Sequence, residues 1–280
     1  MFLEKARRAG SVPTPPIITI VASPGAGKTS LGGLFPSPLF VQAESCETVF
    51  EGWAEEVQPT AFPQLPKVAR DEAGNVKGST KRELLDQLRE VVTGEHEFKT
   101  LVIDSVTALS RLFENEIACL SGVGNIADAA GGFHKGYIEL ASWHAEVIYA
   151  CETIRRRRGM AIVFLAHTGV QKVKNRPDEG SEYTVYGLDM HTASSQQYIS
   201  NSDMVAYIKK EEFIQGAESN RKGQPTKFGR ALQTGERVLI TSGDGKIGYV
   251  AAKTRYPMPV ELPLPIGENP LMAHIPFFNR

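Results

Sequence analysis

The stretch ASPGAGKT, Ala22–Thr29, decides how the chain is expected to fold. It fits the phosphate-loop pattern GxxxxGK[ST] at every fixed position except the first, where Ala22 replaces glycine. The apolar, β-branched run IITIVA, Ile17–Ala22, leads into it and is typical of a strand that is covered on both faces in a parallel sheet. A short helix that ends near Phe35 and Pro36 is expected after it. This order of strand, glycine-containing loop and helix predicts a phosphate-binding loop.

Each fixed residue of the loop has a chemical role in holding Mg²⁺ and ATP, which are the predicted ligands. Gly25 and Gly27 let the backbone curl so that successive N–H groups point at phosphate oxygens. The Lys28 ammonium is expected to bridge the β- and γ-phosphates, and the Thr29 hydroxyl is expected to reach Mg²⁺. The residues predicted to contact the nucleotide are Ser23, Pro24, Gly25, Ala26, Gly27, Lys28, Thr29 and Ser30.

Two carboxylates complete the predicted site. Asp104 lies near the end of a buried strand over 99–105, at the edge where ligands of open parallel sheets bind, and is the second predicted Mg²⁺ anchor. Hydrolysis also needs a carboxylate that orients or deprotonates the attacking water. No acid follows Asp104, but Glu44 ends the predicted strand over 38–44 and emerges at the same edge. Glu44 is the predicted catalytic base, and Glu47 is the nearest alternative.

The rest of the chain alternates between helical and strand patterns. The segment STKRELLDQLREVV has two candidate N-caps, Ser79 and Thr80, and apolar residues on one helical face. Helices are predicted over 106–120 and 135–157, and the fourth strand is MAIVFLAH, Met160–His167. Such alternation predicts an α/β fold with a mainly parallel sheet flanked by helices. Residues 45–78 contain many proline and glycine breaks and are predicted to be mostly irregular.

The C-terminal third has a different pattern. The segment RVLITSGDGKIGYVAAKTRY indicates a strand, a turn at Ser242–Gly245 and a second strand, so antiparallel strands are expected at the sheet edge. Prolines are dense in SVPTPP and in PMPVELPLPIGENP, which predicts extended segments. The predicted organisation is an N-terminal tail over 1–16, one nucleotide-binding domain over 17–256 and a proline-rich tail over 257–280.

Composition excludes several classes of protein. No run approaches the roughly 20 apolar residues of a membrane helix, and MFLEKARRAG lacks the apolar core of a secretory signal. We therefore expect a cytoplasmic protein with no membrane partner. Cys46, Cys119 and Cys151 lie far apart, which fits a reducing compartment and gives no zinc or disulfide spacing. The net charge is −1, so any contact with nucleic acid must come from local patches.

The segments LVIDSVTALS and LFVQAES resemble the acidic motifs of RecA/RadA-type recombinases. In that family the fourth strand ends in a polar residue that senses the γ-phosphate, often glutamine, and a mobile DNA-binding loop follows. The resemblance implies that His167 is the sensor and that residues 168–190 form the DNA loop. The family's first DNA loop corresponds to GGFHKGY, Gly131–Tyr137, although these residues also suit the start of a helix with core aromatics. The implied DNA-binding residues are Phe133, Lys135, Lys172, Lys174 and Arg176.

The chain also resembles phage RecA-like single-strand-annealing recombinases, which share AKxRY near the C-terminus. Here the corresponding segment is AAKTRYPMP, Ala251–Pro259. In RecA-like filaments a pair of cations in this region reaches the γ-phosphate of the neighbouring subunit. The resemblance therefore implies that Lys253 and Arg255 act on ATP bound by another subunit, and that slow hydrolysis is stimulated by DNA or by assembly. The alternative is that both are ordinary solvated cations at a strand end.

The resemblance implies a RecA-like ATPase domain over 17–256 in a recombinase that binds single-stranded DNA and promotes annealing or strand exchange. The active form would be a filament or ring with ATP between subunits, and a single-strand-binding protein is a candidate partner. If the chain is phage-encoded, the bacterial host cytoplasm is its expected location. Three other classes share the phosphate loop: a helicase or other motor ATPase, a small-molecule kinase, and a nucleotide-operated binding switch. A kinase needs an arginine-rich lid that is not evident, and a switch requires Glu44 to be idle.

Overall fold

The structure is a computed structural model, and it describes residues 12–173, 183–215, 218–219, 225–227, 230–242 and 250–279. The strands within these residues are β1 (Ile17–Ala22), β2 (Pro38–Gln42), β3 (Thr60–Ala61), β4 (Ala69–Arg70), β5 (Val76–Lys77), β6 (Thr100–Asp104), β7 (Ala161–Val173), β8 (Tyr183–Leu188), β9 (Met204–Gln215), β10 (Glu218–Ser219), β11 (Pro225–Lys227), β12 (Arg230–Ile240), β13 (Lys253–Thr254) and β14 (Glu261–Pro263). The α-helices are α1 (Lys28–Gly33), α2 (Glu47–Phe50), α3 (Thr80–Thr93), α4 (Val106–Ser121), α5 (Lys135–Arg158) and α6 (Thr192–Asn201). Short 3₁₀ turns lie at Glu55–Val57, Ile126–Gly131 and Pro270–Ala273.

The main sheet has the strand order β14-β12-β9-β1-β7-β6-β2-β3. Neighbouring strands from β9 to β3 pair in parallel, so their carboxyl ends share one edge of the sheet. We call this the carboxyl edge, and the opposite one the amino edge. β7 separates β1 from β6, so the strand that leads into the phosphate loop is not adjacent to the strand that ends at Asp104. The arrangement confirms the predicted α/β fold class.

The burial of β1 explains why five of its six residues are apolar. Ile17 and Val21 lie in a core cluster with side chains of α3, α4 and α5, whereas Ile18 and Ile20 lie in a second cluster with α1 and the C-terminal segment. All four side chains are at most 2% exposed. Because successive side chains of a strand point to opposite faces, this pattern means that both faces of the sheet are covered.

The predicted helices form with bounds within two residues of those expected. The Ser79 side chain accepts a hydrogen bond from the N–H of Arg82 and caps α3, and Ser105 accepts one from Ala108 and caps α4. The last turn of α5 consists of four arginines, followed by the C-cap Gly159, and their positive charges are stabilised by the negative end of the helix dipole. Among the described residues, no helix is long and apolar enough to cross a membrane.

Antiparallel C-terminal strands extend the sheet, as predicted, but their pairing differs from the predicted hairpin. β12 pairs antiparallel with β9 on one side and with β14 on the other, while β13 pairs with β9. Most of the predicted turn at 242–245 lies outside the described residues. Residues 257–279 also differ from an extended tail, because their apolar side chains are drawn into the core beside α1. The side chains of this segment that are at most 5% exposed are Leu262, Leu264, Leu271 and Ile275.

The fourth predicted strand is longer than expected. It continues past His167 to Val173, and this extension pairs antiparallel with β8 from Thr168–Leu188 to Val173–Tyr183. The segment that the resemblance predicts as the second DNA loop is therefore a β-hairpin that projects beyond the carboxyl edge. Residues 174–182, which separate the two strands in the sequence, lie outside the described residues.

Candidate functional site

The phosphate loop follows β1 at the carboxyl edge and has a curled backbone. Gly25 and Gly27 have φ of 70° and 91°, a left-handed conformation that favours glycine. The N–H of Ala26 donates to the carbonyl of Ser23 at 3.2 Å and closes the turn. Lys28 starts α1 and is only 9% exposed, so its ammonium is held close to the loop.

Thr29 and Asp104 meet at the loop and form a candidate Mg²⁺ site. Oγ1 of Thr29 donates to Oδ2 of Asp104 at 2.6 Å, although 75 positions separate the two residues. Asp104 is 1% exposed, and this burial raises the pKa of its carboxyl group. Within the described part of the chain, Oδ1 of Asp104 is buried and has no hydrogen-bond partner. A buried carboxylate oxygen without a donor fits a Mg²⁺ ion, which takes oxygen ligands and would complete its shell with phosphate oxygens.

Glu44 lies between the phosphate loop and β7. It follows β2, and its backbone N–H donates to the carbonyl of Asp104 at 3.2 Å. Oε1 of Glu44 is 3.5 Å from Nζ of Lys28 and 3.0 Å from Nε2 of His167. The hydrogen bond from His167 lowers the pKa of Glu44 to about 2, with further lowering by Ser105 and Lys28, against partial burial that raises it. Glu44 is therefore an ionised carboxylate beside the loop, where a water near the γ-phosphate would lie.

His167 occupies the position where β7 leaves the parallel sheet. It is in register with Ala22 of β1, so it lies level with the start of the phosphate loop. Its N–H donates to Oγ1 of Thr107 at 3.0 Å, and its carbonyl accepts a hydrogen bond from the N–H of Asp189 at 2.9 Å. The ring therefore contacts the carboxylate of the nucleotide site while the backbone begins the hairpin.

Glu47, the alternative base, does not join this cluster. It is the first residue of α2 and is exposed. Among the contacts between described residues, none links its carboxylate to Lys28, His167 or Asp104. The geometry favours Glu44 as the acidic residue of the site.

Two cations that the sequence did not single out reach the phosphate loop from β9 and β12. Nη1 of Arg237 donates to the carbonyl of Ala26 at 3.2 Å. Nζ of Lys210 lies 3.8 Å from the point that a Cβ atom would occupy on Gly25. Arg237 and Lys210 are opposite each other in the β9–β12 register. The two residues are 27 positions apart in the sequence, and the pairing of β9 with β12 is what brings both of them to the phosphate loop.

A cleft beside α1 was also missed, because its walls come from three distant parts of the chain. Ser30, Leu34 and Trp53 form one wall, and residues 264–268 form the other. The volume of the cleft is about 160 Å³. It opens next to Gly27, so it continues from the phosphate loop.

The predicted first DNA loop is an exposed surface at the start of α5. Phe133 is 93% exposed and Lys135 is also exposed. The Tyr137 ring stacks on His191 with ring centroids 4.4 Å apart, and on its other neighbour, His134, at 5.9 Å. We call Phe133, His134, Tyr137 and His191 the aromatic cluster. His191 follows hairpin β7–β8 closely, so the cluster connects the two predicted DNA loops.

Of the three cations predicted in the second loop, one lies within the described residues. Lys172 is exposed on the extension of β7. Lys174 and Arg176 lie outside the described residues.

Lys253 and Arg255 lie at the amino edge, away from the phosphate loop of their own chain. Lys253 is in register with Val205 near the start of β9, and its Nζ donates to the carbonyl of Ser200 at 3.2 Å. Nη1 of Arg255 is 2.9 Å from Oδ1 of Asp203, a carboxylate whose side chain is 8% exposed. The Arg255 side chain itself is 68% exposed and is therefore available to another molecule.

Comparison with known proteins agrees with the phosphate-loop assignment. No curated protein matches the chain. A protein-family model described as an AAA domain, AAA_24, matches residues 14–256, which include the phosphate loop, Asp104 and the strands of the parallel sheet. The chain therefore belongs to the AAA domain family of P-loop ATPases.

Proposed function

We propose that this chain is a Mg²⁺-ATP-dependent recombinase that binds single-stranded DNA and promotes annealing or strand exchange as an oligomer. The observation that carries the proposal is the contact between His167 and Glu44. It joins the carboxylate of the nucleotide site to the residue from which hairpin β7–β8 projects. A ligand that moves the hairpin would change how Glu44 is held, and this would couple DNA binding to hydrolysis.

Glu44 is the group that the site offers to the water attacking the γ-phosphate. Because its pKa is held at about 2, the carboxylate is ionised at neutral pH and accepts a hydrogen bond from that water. So low a pKa makes it a weak base, so its main contribution is to orient the water. Lys28 would place its positive charge beside the phosphates, where it stabilises the negative charge that develops on their oxygens in the transition state. Mg²⁺ held by Thr29 and Asp104 would neutralise charge on the β- and γ-phosphates.

The cleft beside α1 supports ATP as the ligand, rather than free phosphate. Leu34, Trp53 and Ile266 give it apolar surface that suits a flat purine ring, and Ser30 adds a hydroxyl group next to the loop. Base and phosphates would then bind on either side of Gly27, which lines both the loop and the cleft.

The aromatic cluster and the hairpin support single-stranded DNA as the partner. Exposed aromatic rings stack on unpaired bases of any sequence, and nearby cations attract the phosphate backbone. Phe133 lies beside Lys135, and Tyr137 contacts His191 at the base of the hairpin that carries Lys172. Since the net charge of the chain is −1, such a local surface is required for DNA binding.

The position of Lys253 and Arg255 supports action between subunits. A strand of six residues such as β1 spans about 20 Å, so residues at the amino edge do not reach the phosphate loop of their own chain. A second subunit stacked against that edge would bring its nucleotide to Arg255. Such a contact would make hydrolysis depend on assembly.

Annealing of two complementary fluorescently labelled oligonucleotides tests this function. We expect the wild-type protein to accelerate duplex formation with Mg²⁺-ATP, and Phe133→Ala to lose this acceleration while still hydrolysing ATP without DNA. Tyr149→Ala, which removes an aromatic ring that is 76% exposed elsewhere on α5, is the matched control. Directional unwinding of a duplex would instead identify a motor ATPase, and absence of any effect on DNA would contradict the proposal.

A further inference from the structure

The geometry points to Arg237 and Lys210 as phosphate-binding residues that act in their own subunit, on the phosphates that ATP and ADP share. This inference rests on the proposed nucleotide site and adds to it a pair of cations from β9 and β12. It differs from the proposed role of Arg255, which lies at the amino edge and acts on another subunit.

The first observation is how closely Arg237 approaches the loop. A Cβ atom on Gly27 would lie 2.2 Å from Nη1 of Arg237, so the absence of a side chain at Gly27 is what allows the guanidinium to lie across the loop. Nη1 donates one hydrogen bond, to the carbonyl of Ala26. A guanidinium has five N–H donors, so others remain for an anion.

The second observation is that these two like charges converge and that the described part of the chain provides no counter-ion for them. Arg237 and Lys210 are a cross-strand pair, and opposed like charges are unfavourable unless an anion lies between or beside them. Among the described residues, neither side chain is within 4.0 Å of a carboxylate oxygen, although Glu211 and Glu236 are their neighbours in sequence. A phosphate chain on the loop would supply the missing negative charge.

The strand order identifies which phosphates they would meet. Glu44 follows β2, Asp104 ends β6, and His167 lies where β7 leaves the parallel sheet. These three strands all lie on one side of β1, so their acidic and histidine side chains mark where the γ-phosphate and its water would be. β9 and β12 lie on the other side of β1. Arg237 and Lys210 therefore approach the part of the nucleotide nearer the cleft, which is the α- and β-phosphates.

Calorimetric titration with Mg²⁺-ADP and with the β,γ-imido analogue of ATP tests the inference on the full chain. We expect Arg237→Ala to weaken both ligands about tenfold, because a charge-assisted hydrogen bond to phosphate is lost. Lys210→Ala should weaken both to a lesser degree. Lys209→Ala is the matched control, because it removes the same charge from the exposed neighbour on β9, and it should bind as the wild type does.

Arg237→Gln separates phosphate binding from a purely structural role in the loop. Glutamine keeps a donor for the Ala26 carbonyl but removes the charge, so we expect it to bind as weakly as Arg237→Ala. Wild-type affinity in Arg237→Gln, or a loss confined to the ATP analogue, would overturn the inference. Thermal unfolding without nucleotide shows whether each variant is folded. If Arg237→Ala is unfolded, the affinities of Lys210→Ala for the two ligands test the inference instead. If the wild-type protein binds neither ligand, the proposed nucleotide site itself is wrong.

Discussion

Nε2 of His167 lies 3.0 Å from Oε1 of Glu44, across 123 positions of sequence. Since an ionised carboxylate only accepts hydrogen bonds, the histidine is the donor in this pair. The contact links the end of β2 to the start of hairpin β7–β8, so any displacement of the hairpin acts on the carboxylate.

Removing this donor is expected to raise the pKa of Glu44. The folded-state pKa is about 2 and the ordinary value is 4.5, so the ionised group stabilises the fold above pH 4.5 and this contribution is lost as the pH falls toward 2. In His167→Ala the hydrogen bond that contributes most to lowering the pKa of Glu44 is absent, so this pKa should move toward 4.5. The pH range over which protonation of Glu44 destabilises the fold should then become narrower. Carboxyl chemical shifts of ¹³C-labelled glutamate, followed against pH, measure this directly. An unchanged pKa of Glu44 in the variant would show that the hydrogen bond from His167 does not stabilise the ionised carboxylate.

Lys28→Ala is expected to abolish nucleotide binding. The Lys28 ammonium is held at the loop beside Glu44, and its removal leaves the phosphates without their main cation. Calorimetric titration with Mg²⁺-ADP should show no heat of binding, while Lys77→Ala, whose side chain is 77% exposed elsewhere, should bind normally. Wild-type affinity of Lys28→Ala for Mg²⁺-ADP would mean that the nucleotide does not bind at the phosphate loop.

The parallel core was predictable from sequence because its signals are local. Burial on both faces makes five of the six residues from Ile17 to Ala22 apolar, and the loop that follows has glycines at the two positions where φ is positive. The same applies to Asp104 and Glu44, since each lies at the carboxyl end of a strand, and such ends share one edge. Sequence therefore identified which side chains lie at the carboxyl edge.

Local sequence signals did not predict the contacts among those side chains. They also did not predict that β9 pairs with β12. Strand pairing between 204–215 and 230–240 depends on a register across an intervening segment with no short turn signal. Lys210 and Arg237 face the loop only because of that register. The apolar residues of 257–279 were obscured by prolines, which suggested an extended tail even though Leu262 and Leu271 are buried.

Phe133→Ala is expected to weaken binding of single-stranded DNA by about 1–3 kcal/mol, the usual contribution of one stacked base. The ring is 93% exposed, so its removal should leave the free energy of unfolding within about 0.5 kcal/mol of wild type. Fluorescence anisotropy of a labelled oligonucleotide measures the affinity, with Tyr149→Ala as the control for loss of an exposed ring. Equal affinities of wild type and Phe133→Ala for the oligonucleotide would contradict the proposed role of the aromatic cluster in DNA binding.

Asp203→Asn is expected to destabilise the fold by about 3 kcal/mol. The buried carboxylate accepts hydrogen bonds from the N–H of Ile17 and from Arg255, and pairs with Arg155 at 3.2 Å. The amide leaves Arg255 without a charged partner among the described residues, and it leaves Arg155 paired with Glu152 alone. Urea denaturation gives the free energy of unfolding, and a loss below about 0.5 kcal/mol would mean that this cluster is not a structural support for Arg255.

The proposed coupling of ATP hydrolysis to DNA and to assembly is tested by the rate of hydrolysis, with and without single-stranded DNA, over a range of protein concentrations, for wild type and Arg255→Ala. We expect DNA to stimulate the wild-type rate, the rate per subunit to rise cooperatively with concentration, and both effects to vanish in Arg255→Ala. Arg156→Ala, which removes a 75% exposed arginine near the same edge, should behave as the wild type does. A rate of hydrolysis that does not change with DNA, with concentration or with loss of Arg255 would contradict the proposed function and leave a P-loop ATPase with a different partner.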